Sequence, residues 1–214
     1  MPKFDPSKSR RRRPVGETKE LRKTFLIYCE GQTETEYFLL LKSICRLSNI
    51  DIIPIELTEN GNAITLAREA VKRKTESIKE FDEYWIVFDK DDTKENDFQE
   101  AINLCEASGI QTAYSIQAFE LWLLLHFNFI CEKMDRNLYE EKLNQYLKTT
   151  KYGKTKEELK KVFEEIKDKL EVALKNSRNC FDKFEKDNIP IPKRESCTTV
   201  FKLIEKLVGD KLQE

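Results

Sequence analysis

The sequence predicts an α/β protein that has a mostly parallel, four-stranded sheet flanked by helices, with a helical C-terminal region packed on it. From residue 24 to about 130, short apolar runs alternate with helical patterns, which is typical of a parallel sheet covered by helices. After about residue 132, Lys and Glu dominate and strand patterns vanish. The 214 residues suffice for one or two domains with a sizeable core. We therefore divide the chain into a basic leader (1–23), an α/β core (24–130) and a helical region (131–214).

The first half of the core predicts a strand, a helix, a second strand and a second helix. Residues 24 to 29 form an apolar run typical of a buried strand. Thr33 is expected to cap the next helix, and Glu36 completes a capping box three residues later. Residues 50 to 57 predict the second strand, and Asn60-Gly61 predicts a turn. The second helix has apolar residues at helical spacing, namely Ile64, Ala67, Val71 and Ile78.

The second half of the core repeats this alternation. Residues 84 to 88 are the most hydrophobic run and predict a central third strand, followed by a polar loop over 89–93. A third helix is expected to stop at Ser108-Gly109. Residues 110 to 116 predict the fourth strand, and residues 119 to 127 turn helical at once. The C-terminal region then predicts three helical stretches, near 137–149, 155–176 and 197–208.

Composition excludes several classes of protein. No apolar run approaches the roughly 18 residues that span a bilayer, so no membrane segment is expected. The basic N-terminus lacks an apolar segment after it, which argues against a secretory signal. Six cysteines without C-x-x-C spacing fit reduced thiols in a cytoplasmic protein. With a single histidine and no paired cysteines, a structural zinc site has almost no ligands.

Charge is distributed unevenly along the chain. The net charge is −1, yet residues 1 to 23 contain nine Lys or Arg against three acids. A flexible cationic arm can bind nucleic-acid phosphates by releasing counterions. A solvated leader without a specific partner fits equally well, because no aromatic residue for stacking on bases lies between Lys8 and Lys23.

Acidic residues follow the predicted strands with unusual regularity. Functional groups of open α/β sheets gather beyond the carboxyl ends of the strands. Clustered carboxylates repel one another unless a cation lies among them, and oxygen ligands suit Mg²⁺ or Mn²⁺. We therefore predict a divalent metal site in which Gly31 lets the turn approach a phosphate. The acids concerned are Glu30, Glu34, Asp89, Asp91 and Glu120.

Ordinary structural roles compete with this interpretation. A single D-x-D after a strand is a weak signal, Asp92 can be an N-cap with Glu95 as its box partner, and Glu34 suits a helix N-terminus without any metal. Glu120 lies among apolar residues and needs a partner if it is buried. His126 shares a helical face with apolar residues, which favours a core role over a catalytic one. Three lysines lie close enough together to place one near a phosphate: Lys148, Lys151 and Lys154.

Three motifs follow one another along the chain. The first is Glu30-Gly31-Gln32-Thr33-Glu34 followed by Tyr37-Phe38. The second runs from Asp82 to Asp91 and the third from Phe119 to Phe127, and a Thr198-Thr199-Val200 element follows near the C-terminus. In this order the motifs resemble those of the RloB family. The chain departs from the family where Asn-Pro often precedes the Phe-Glu pair, since it reads Ser115-Ile116-Gln117-Ala118 there.

The resemblance implies a Toprim-like core, in which a glutamate after the first strand and a D-x-D after the third bind Mg²⁺. Carried over, Glu30, Asp89 and Asp91 match the Toprim acids, while Glu34 and Glu120 match further family acids. It also implies an effector of prokaryotic antiviral or abortive-infection systems, encoded beside an AAA or ABC-type ATPase.

The sequence thus leads to the hypothesis of a Mg²⁺- or Mn²⁺-dependent nuclease. Its expected substrate is DNA or RNA, tRNA among them, and self-association into a homodimer is left open. The competing hypothesis is a non-catalytic Toprim-like module that binds an ATPase partner or nucleic acid. A DNA-binding protein that acts through its basic arm is the third hypothesis.

Overall fold

The structure is a computed structural model that describes residues 23–56, 62–148 and 152–209. Its strands are β1 (Phe25–Cys29), β2 (Ile50–Pro54), β3 (Glu83–Asp89) and β4 (Gln111–Ser115). Its α-helices are α1 (Gln32–Ile44), α2 (Ala63–Glu76), α3 (Glu95–Ala107), α4 (Glu120–Leu124), α5 (Asn137–Tyr146), α6 (Lys156–Ile166), α7 (Leu170–Lys186) and α8 (Val200–Val208). The predicted α/β class is confirmed. The Asn60-Gly61 turn and all of the basic leader except Lys23 lie outside the described residues.

The four strands form one parallel sheet in the order β2-β1-β3-β4. The predicted central position of the third strand is confirmed, because β3 lies between β1 and β4. The chain runs outward from β1 to β2 and then returns to the other side of β1 with β3. The carboxyl ends of β1 and β3 therefore meet at a topological switch point, where open α/β sheets bind their ligands.

Helices cover both faces of the sheet. Residues of a strand point alternately to the two faces, so each strand contributes side chains to both cores. Phe25, Ile27 and Cys29 of β1 join a core with α1 and with the helices after β4. Leu26 and Tyr28 join the opposite core, which contains α2 and α3. The C-terminal helices thus share a core with one face of the sheet.

The outer edge of β4 is covered by the segment before α8. Ser115 and Thr198 form an antiparallel bridge, and the amide of Ile116 donates to the carbonyl of Cys197 at 2.8 Å. The hydroxyl of Thr199 accepts a hydrogen bond from the amide of Tyr114 at 2.9 Å. This pairing ties the Thr198-Thr199-Val200 element to the sheet and satisfies backbone groups that an open edge leaves unpaired.

The predicted capping box at Thr33 is wrong. Helix α1 has Gly31 at its N-cap, and Thr33 lies buried in the first turn. The carbonyl of Gly31 accepts hydrogen bonds from the amide and the hydroxyl of Thr35, at 3.2 and 2.8 Å. Glu36 lies 3.7 Å from Lys156 of α6 and forms an ion pair with it. The Glu36 carboxylate therefore binds Lys156, which is distant in the chain, instead of completing a capping box.

Two further boundaries differ from the prediction. Helix α2 ends at Glu76, because Ser77 is extended, and Ile78 is fully exposed instead of lying on the helix. The stretch predicted at 155–176 is two helices, α6 and α7, joined by a 3₁₀ turn at Lys167–Lys169, and α7 continues to Lys186. Within residues 131–148 and 152–209, which the structure describes, there are therefore four α-helices where three were predicted.

The remaining expectations concern cysteines and membrane spans. None of the six cysteines, all within the described ranges, forms a disulfide, and five are buried. No helix among the described residues is long and apolar enough to cross a bilayer.

Candidate functional site

Four carboxylates meet at the switch point of the sheet. Glu30 follows β1 and Asp89 ends β3, while Glu34 lies in the first turn of α1 and Glu120 begins α4. They line a cavity of about 290 Å³, together with Gly31, Gln32, Thr33, Asp91 and Lys154. The structure therefore brings all five predicted acids to one cavity.

Asp89 forms two hydrogen bonds at this cavity, one through its backbone and one through its side chain. Its backbone amide donates to Oε2 of Glu30 at 3.0 Å, and its Oδ2 accepts from the amide of Phe119 at 2.9 Å. These bonds connect the ends of β1 and β3 with the turn that leads into α4. The other oxygen, Oδ1, is buried without a hydrogen-bond partner. A buried carboxylate oxygen without a partner is costly and fits a bound cation.

Glu34 lies over Gly31. A Cβ atom at position 31 would overlap the Glu34 carboxylate, so a larger residue would require that carboxylate to shift. The backbone of Gly31 has φ −115°, which any residue adopts, so the requirement is for space. We predicted from the sequence that Gly31 lets the turn approach a phosphate. In the structure the Glu34 carboxylate lies against Gly31.

Burial and mutual repulsion raise the pKa values of these acids. Desolvation is the largest cause of the raised pKa of Asp89, followed by the charges of Glu34 and Glu30. Desolvation also raises the pKa of Glu34 to about 7, which the amide of Glu34 itself opposes and the nearby carboxylates reinforce. The pKa of Glu30 is raised by burial, although the amide of Asp89 opposes the shift. Such acids are stabilised by protons or by a cation.

Lys154 is the partner that buried Glu120 needs. Its Nζ lies 2.8 Å from Oε1 of Glu120, whose side chain is 6% exposed. Desolvation lowers the pKa of Lys154, but the hydrogen bond and charge of Glu120 outweigh it and the net pKa is raised. Of the three lysines considered near a phosphate, Lys154 lines the cavity, and Lys151 lies outside the described residues.

Asp91 lines the cavity but is held by Arg136, which precedes α5. Nη1 of Arg136 lies 2.8 Å from Asp91 Oδ1, and Nη2 lies 2.9 Å from Asp92 Oδ2. The N-cap predicted at Asp92 is therefore wrong, since α3 begins at Glu95 after Lys94 and Asp92 binds Arg136 instead. Sequence reasoning missed Arg136, because a contact across 45 residues has no local pattern.

The turn ahead of Glu120 is built around Gln117. Its backbone has φ +80°, in the left-handed region that non-glycine residues seldom adopt. Its side chain accepts a hydrogen bond from the amide of Arg136 at 2.8 Å and donates to Glu195 at 3.2 Å. Gln117 thus connects this turn to the start of α5.

His126 lies away from the acidic cavity, in the core. Its Nδ1 donates to the carbonyl of Trp122 at 2.9 Å, and the two rings meet edge to face. Burial lowers the pKa of His126 to about 4, so the ring is neutral at pH 7. The structure therefore favours the core role for His126.

The donor set fits a hard divalent cation in its chemistry. All of its candidate ligands are carboxylates, which Mg²⁺ and Mn²⁺ prefer, and Asp89 Oδ1 has no other partner. As they stand, however, no three His, Cys, Asp or Glu side chains of the described ranges are grouped so that they could hold a metal ion. Two cavity acids are already paired with Arg136 and Lys154. Metal binding therefore requires local rearrangement of side chains.

The fold and the cavity define an α/β protein with a carboxylate site at the switch point of a parallel sheet. The chain belongs to the RloB-like protein family, whose sequence model matches residues 25–207. The match extends from the first residue of β1 almost to the end of α8. Comparisons with curated proteins and with solved structures found no match.

Proposed function

We propose that this protein is a Mg²⁺- or Mn²⁺-dependent nuclease that hydrolyses phosphodiester bonds in DNA or RNA. The observation that carries the proposal is Asp89 Oδ1, a buried carboxylate oxygen without a hydrogen-bond partner beside Glu30, Glu34 and Glu120. Burial and repulsion raise the pKa of Asp89, so a divalent cation offsets an electrostatic cost that the fold otherwise bears.

The residues divide into ligands and supporting groups. Glu30, Asp89 and Asp91 would hold the ion, and Glu34 and Glu120 would orient a second ion or a water. A divalent ion in such a site supplies Lewis-acid polarisation of a phosphodiester and activation of water. Glu34, with its pKa near 7, is suited to accept a proton at neutral pH. Lys154 holds Glu120 and places a positive charge beside the cavity.

The biological setting is part of the proposal and rests on family resemblance. We propose a Toprim-like core that acts in the cytoplasm as the effector of a prokaryotic antiviral or abortive-infection system. An AAA or ABC-type ATPase is the proposed protein partner, and DNA or RNA, including tRNA, is the proposed substrate.

Cleavage assays test the enzymatic proposal. The purified protein is incubated with plasmid DNA, tRNA and single-stranded RNA in Mg²⁺, in Mn²⁺ and in EDTA. We expect metal-dependent cleavage that Asp89→Asn and Glu30→Gln abolish. Glu100→Gln is the control, because Glu100 is an exposed acid on α3 that faces Arg68. Cleavage that survives both site variants would refute the proposed site.

A non-catalytic module is the second candidate. What favours it is that Arg136 and Lys154 already neutralise Asp91 and Glu120. A protein of this kind would bind nucleic acid or its ATPase partner without turnover. Binding without cleavage in every condition above, with the ATPase also present, would select this candidate over the nuclease.

A further inference from the structure

Arg136 binds Asp91, the most exposed of the three predicted metal ligands. Its guanidinium forks between Asp91 and Asp92, with both contacts shorter than 3 Å. Asp91 is about half exposed, and its backbone has φ +42°, in the left-handed region. The backbone amide of Arg136 is held by Gln117 at 2.8 Å. Arg136 is therefore held in place at its backbone, while its side chain is partly exposed to solvent.

We propose that Arg136 competes with the divalent ion for Asp91 and thereby limits the affinity of the cavity for Mg²⁺ or Mn²⁺. The inference rests on the proposed function, because it concerns the same ion site. Asp91 Oδ1 accepts from Arg136 Nη1 and is an oxygen that an ion would need. An arginine keeps its proton at any physiological pH, so it yields the carboxylate only by moving away.

The second partner of Arg136 makes this exchange local. Asp92 is 91% exposed and binds Nη2, so Arg136 can stay on Asp92 while Asp91 turns to the ion. The backbone anchor at Gln117 need not break for this movement. The described arrangement, in which no three acids are grouped around one point, is then the state in which Arg136 holds Asp91.

The test is calorimetric titration of the full-length protein with Mn²⁺ in the absence of nucleic acid. We expect Arg136→Gln to bind Mn²⁺ roughly two- to fivefold more tightly than wild type, the factor that an exposed ion pair represents. Arg136→Lys keeps the charge but loses the fork, so an intermediate affinity is expected. Lys133→Gln is the matched control, because it removes the same charge from the same loop but its partner is Glu195.

Two outcomes overturn the competition. An affinity of Arg136→Gln equal to or weaker than wild type means that Arg136 orders Asp91 as a ligand or is irrelevant to it. Equal tightening in Arg136→Gln and Lys133→Gln means that net charge alone acts. If Arg136→Gln is less well folded by circular dichroism, Arg136→Lys decides by the same criterion.

The titration also separates this inference from the proposed function. Wild type and Arg136→Gln are each compared with the same protein carrying Asp89→Asn, which we expect to lose Mn²⁺ binding. Absence of Mn²⁺ binding in every protein overturns both proposals. Binding that depends on Asp89 but does not tighten in Arg136→Gln overturns the competition and leaves the ion site intact.

Discussion

The backbone amide of Asp89 donates a hydrogen bond to Oε2 of Glu30, over a distance of 3.0 Å. The two residues lie 59 positions apart in the chain, and the bond joins the carboxyl ends of the neighbouring strands β1 and β3. It occurs at the point where the strand order reverses. A shared ion site requires these two acids to lie close together, and this hydrogen bond shows that they do.

Asp89→Asn should stabilise the metal-free protein while it abolishes cleavage. The buried Oδ1 has no hydrogen-bond partner, and an amide keeps the oxygen that accepts from Phe119 without the charge. We expect a gain of about 1 to 3 kcal/mol in the free energy of unfolding, measured with urea at pH 8 in EDTA. Asp182→Asn, on the exposed side of α7, is the control. A less stable Asp89→Asn protein would contradict the claim that this buried carboxylate destabilises the metal-free fold.

Glu34 should make the metal-free protein less stable as the pH rises. Burial raises the pKa of Glu34 from 4.5 to about 7, so the folded state retains a proton that the unfolded state releases. This contribution is fully present below about pH 4.5 and is lost as the pH rises through 7.

Comparison of wild type with Glu34→Gln by urea unfolding from pH 4 to 9 measures the effect. The variant should gain on the order of 1 to 3 kcal/mol relative to wild type above pH 7. Parallel curves for the two proteins would show that Glu34 titrates normally.

The parts of the site that sequence alone predicts are those governed by local pattern and by sheet topology. Phe25–Cys29 and Glu83–Asp89 are apolar runs, and both are buried strands. Because parallel strands end at one edge, acids that directly follow two such runs must approach each other if the strands are neighbours. The position of Glu30 beside Asp89 follows from this geometry.

The parts that sequence alone misses depend on partners far away in the chain. Asp92 has the spacing of an N-cap, yet Arg136 offers it a charged partner. Thr33 and Glu36 have the spacing of a capping box, yet Gly31 is the N-cap and Glu36 forms an ion pair with Lys156. In both places a tertiary contact outweighs a local preference of about 1 kcal/mol.

Lys154→Met should destabilise the protein because it leaves the Glu120 carboxylate buried without its cation. The expected loss is about 1 to 3 kcal/mol in the free energy of unfolding, and Glu120→Gln combined with Lys154→Met should recover most of it. Lys156→Met is the control, because its ion pair with Glu36 is longer, at 3.7 Å, and Lys156 is 69% exposed. Additive losses in the double-mutant cycle would show that the two residues do not interact.

His126→Gln should keep cleavage activity. It should also reduce the loss of unfolding free energy that wild type shows at acid pH. The folded pKa of about 4 lies below the ordinary 6.5, so protons favour the unfolded state. The free energy of unfolding therefore falls as the pH drops from 6.5 to 4, opposite in sign to the effect of Glu34. Thermal denaturation from pH 4 to 7 should show a penalty of about 2 to 3 kcal/mol at pH 4 in wild type that the variant lacks. Loss of cleavage in a folded variant would return His126 to the catalytic interpretation.

Deletion of residues 1 to 22 should weaken the capture of nucleic acid and leave the chemistry intact. These residues contain eight Lys or Arg, whereas Lys23 forms an ion pair with Glu83 and is retained. If the leader binds phosphates, each lost contact makes the negative slope of log affinity against log salt shallower by about 0.9 on duplex DNA.

The kinetic readout distinguishes the three hypotheses for the leader. A raised KM with unchanged kcat supports an arm that serves a nuclease. Binding and salt dependence that do not change identify a solvated leader without a partner. Loss of all function at saturating substrate would mean that the arm, and not the carboxylates around Asp89, carries the activity.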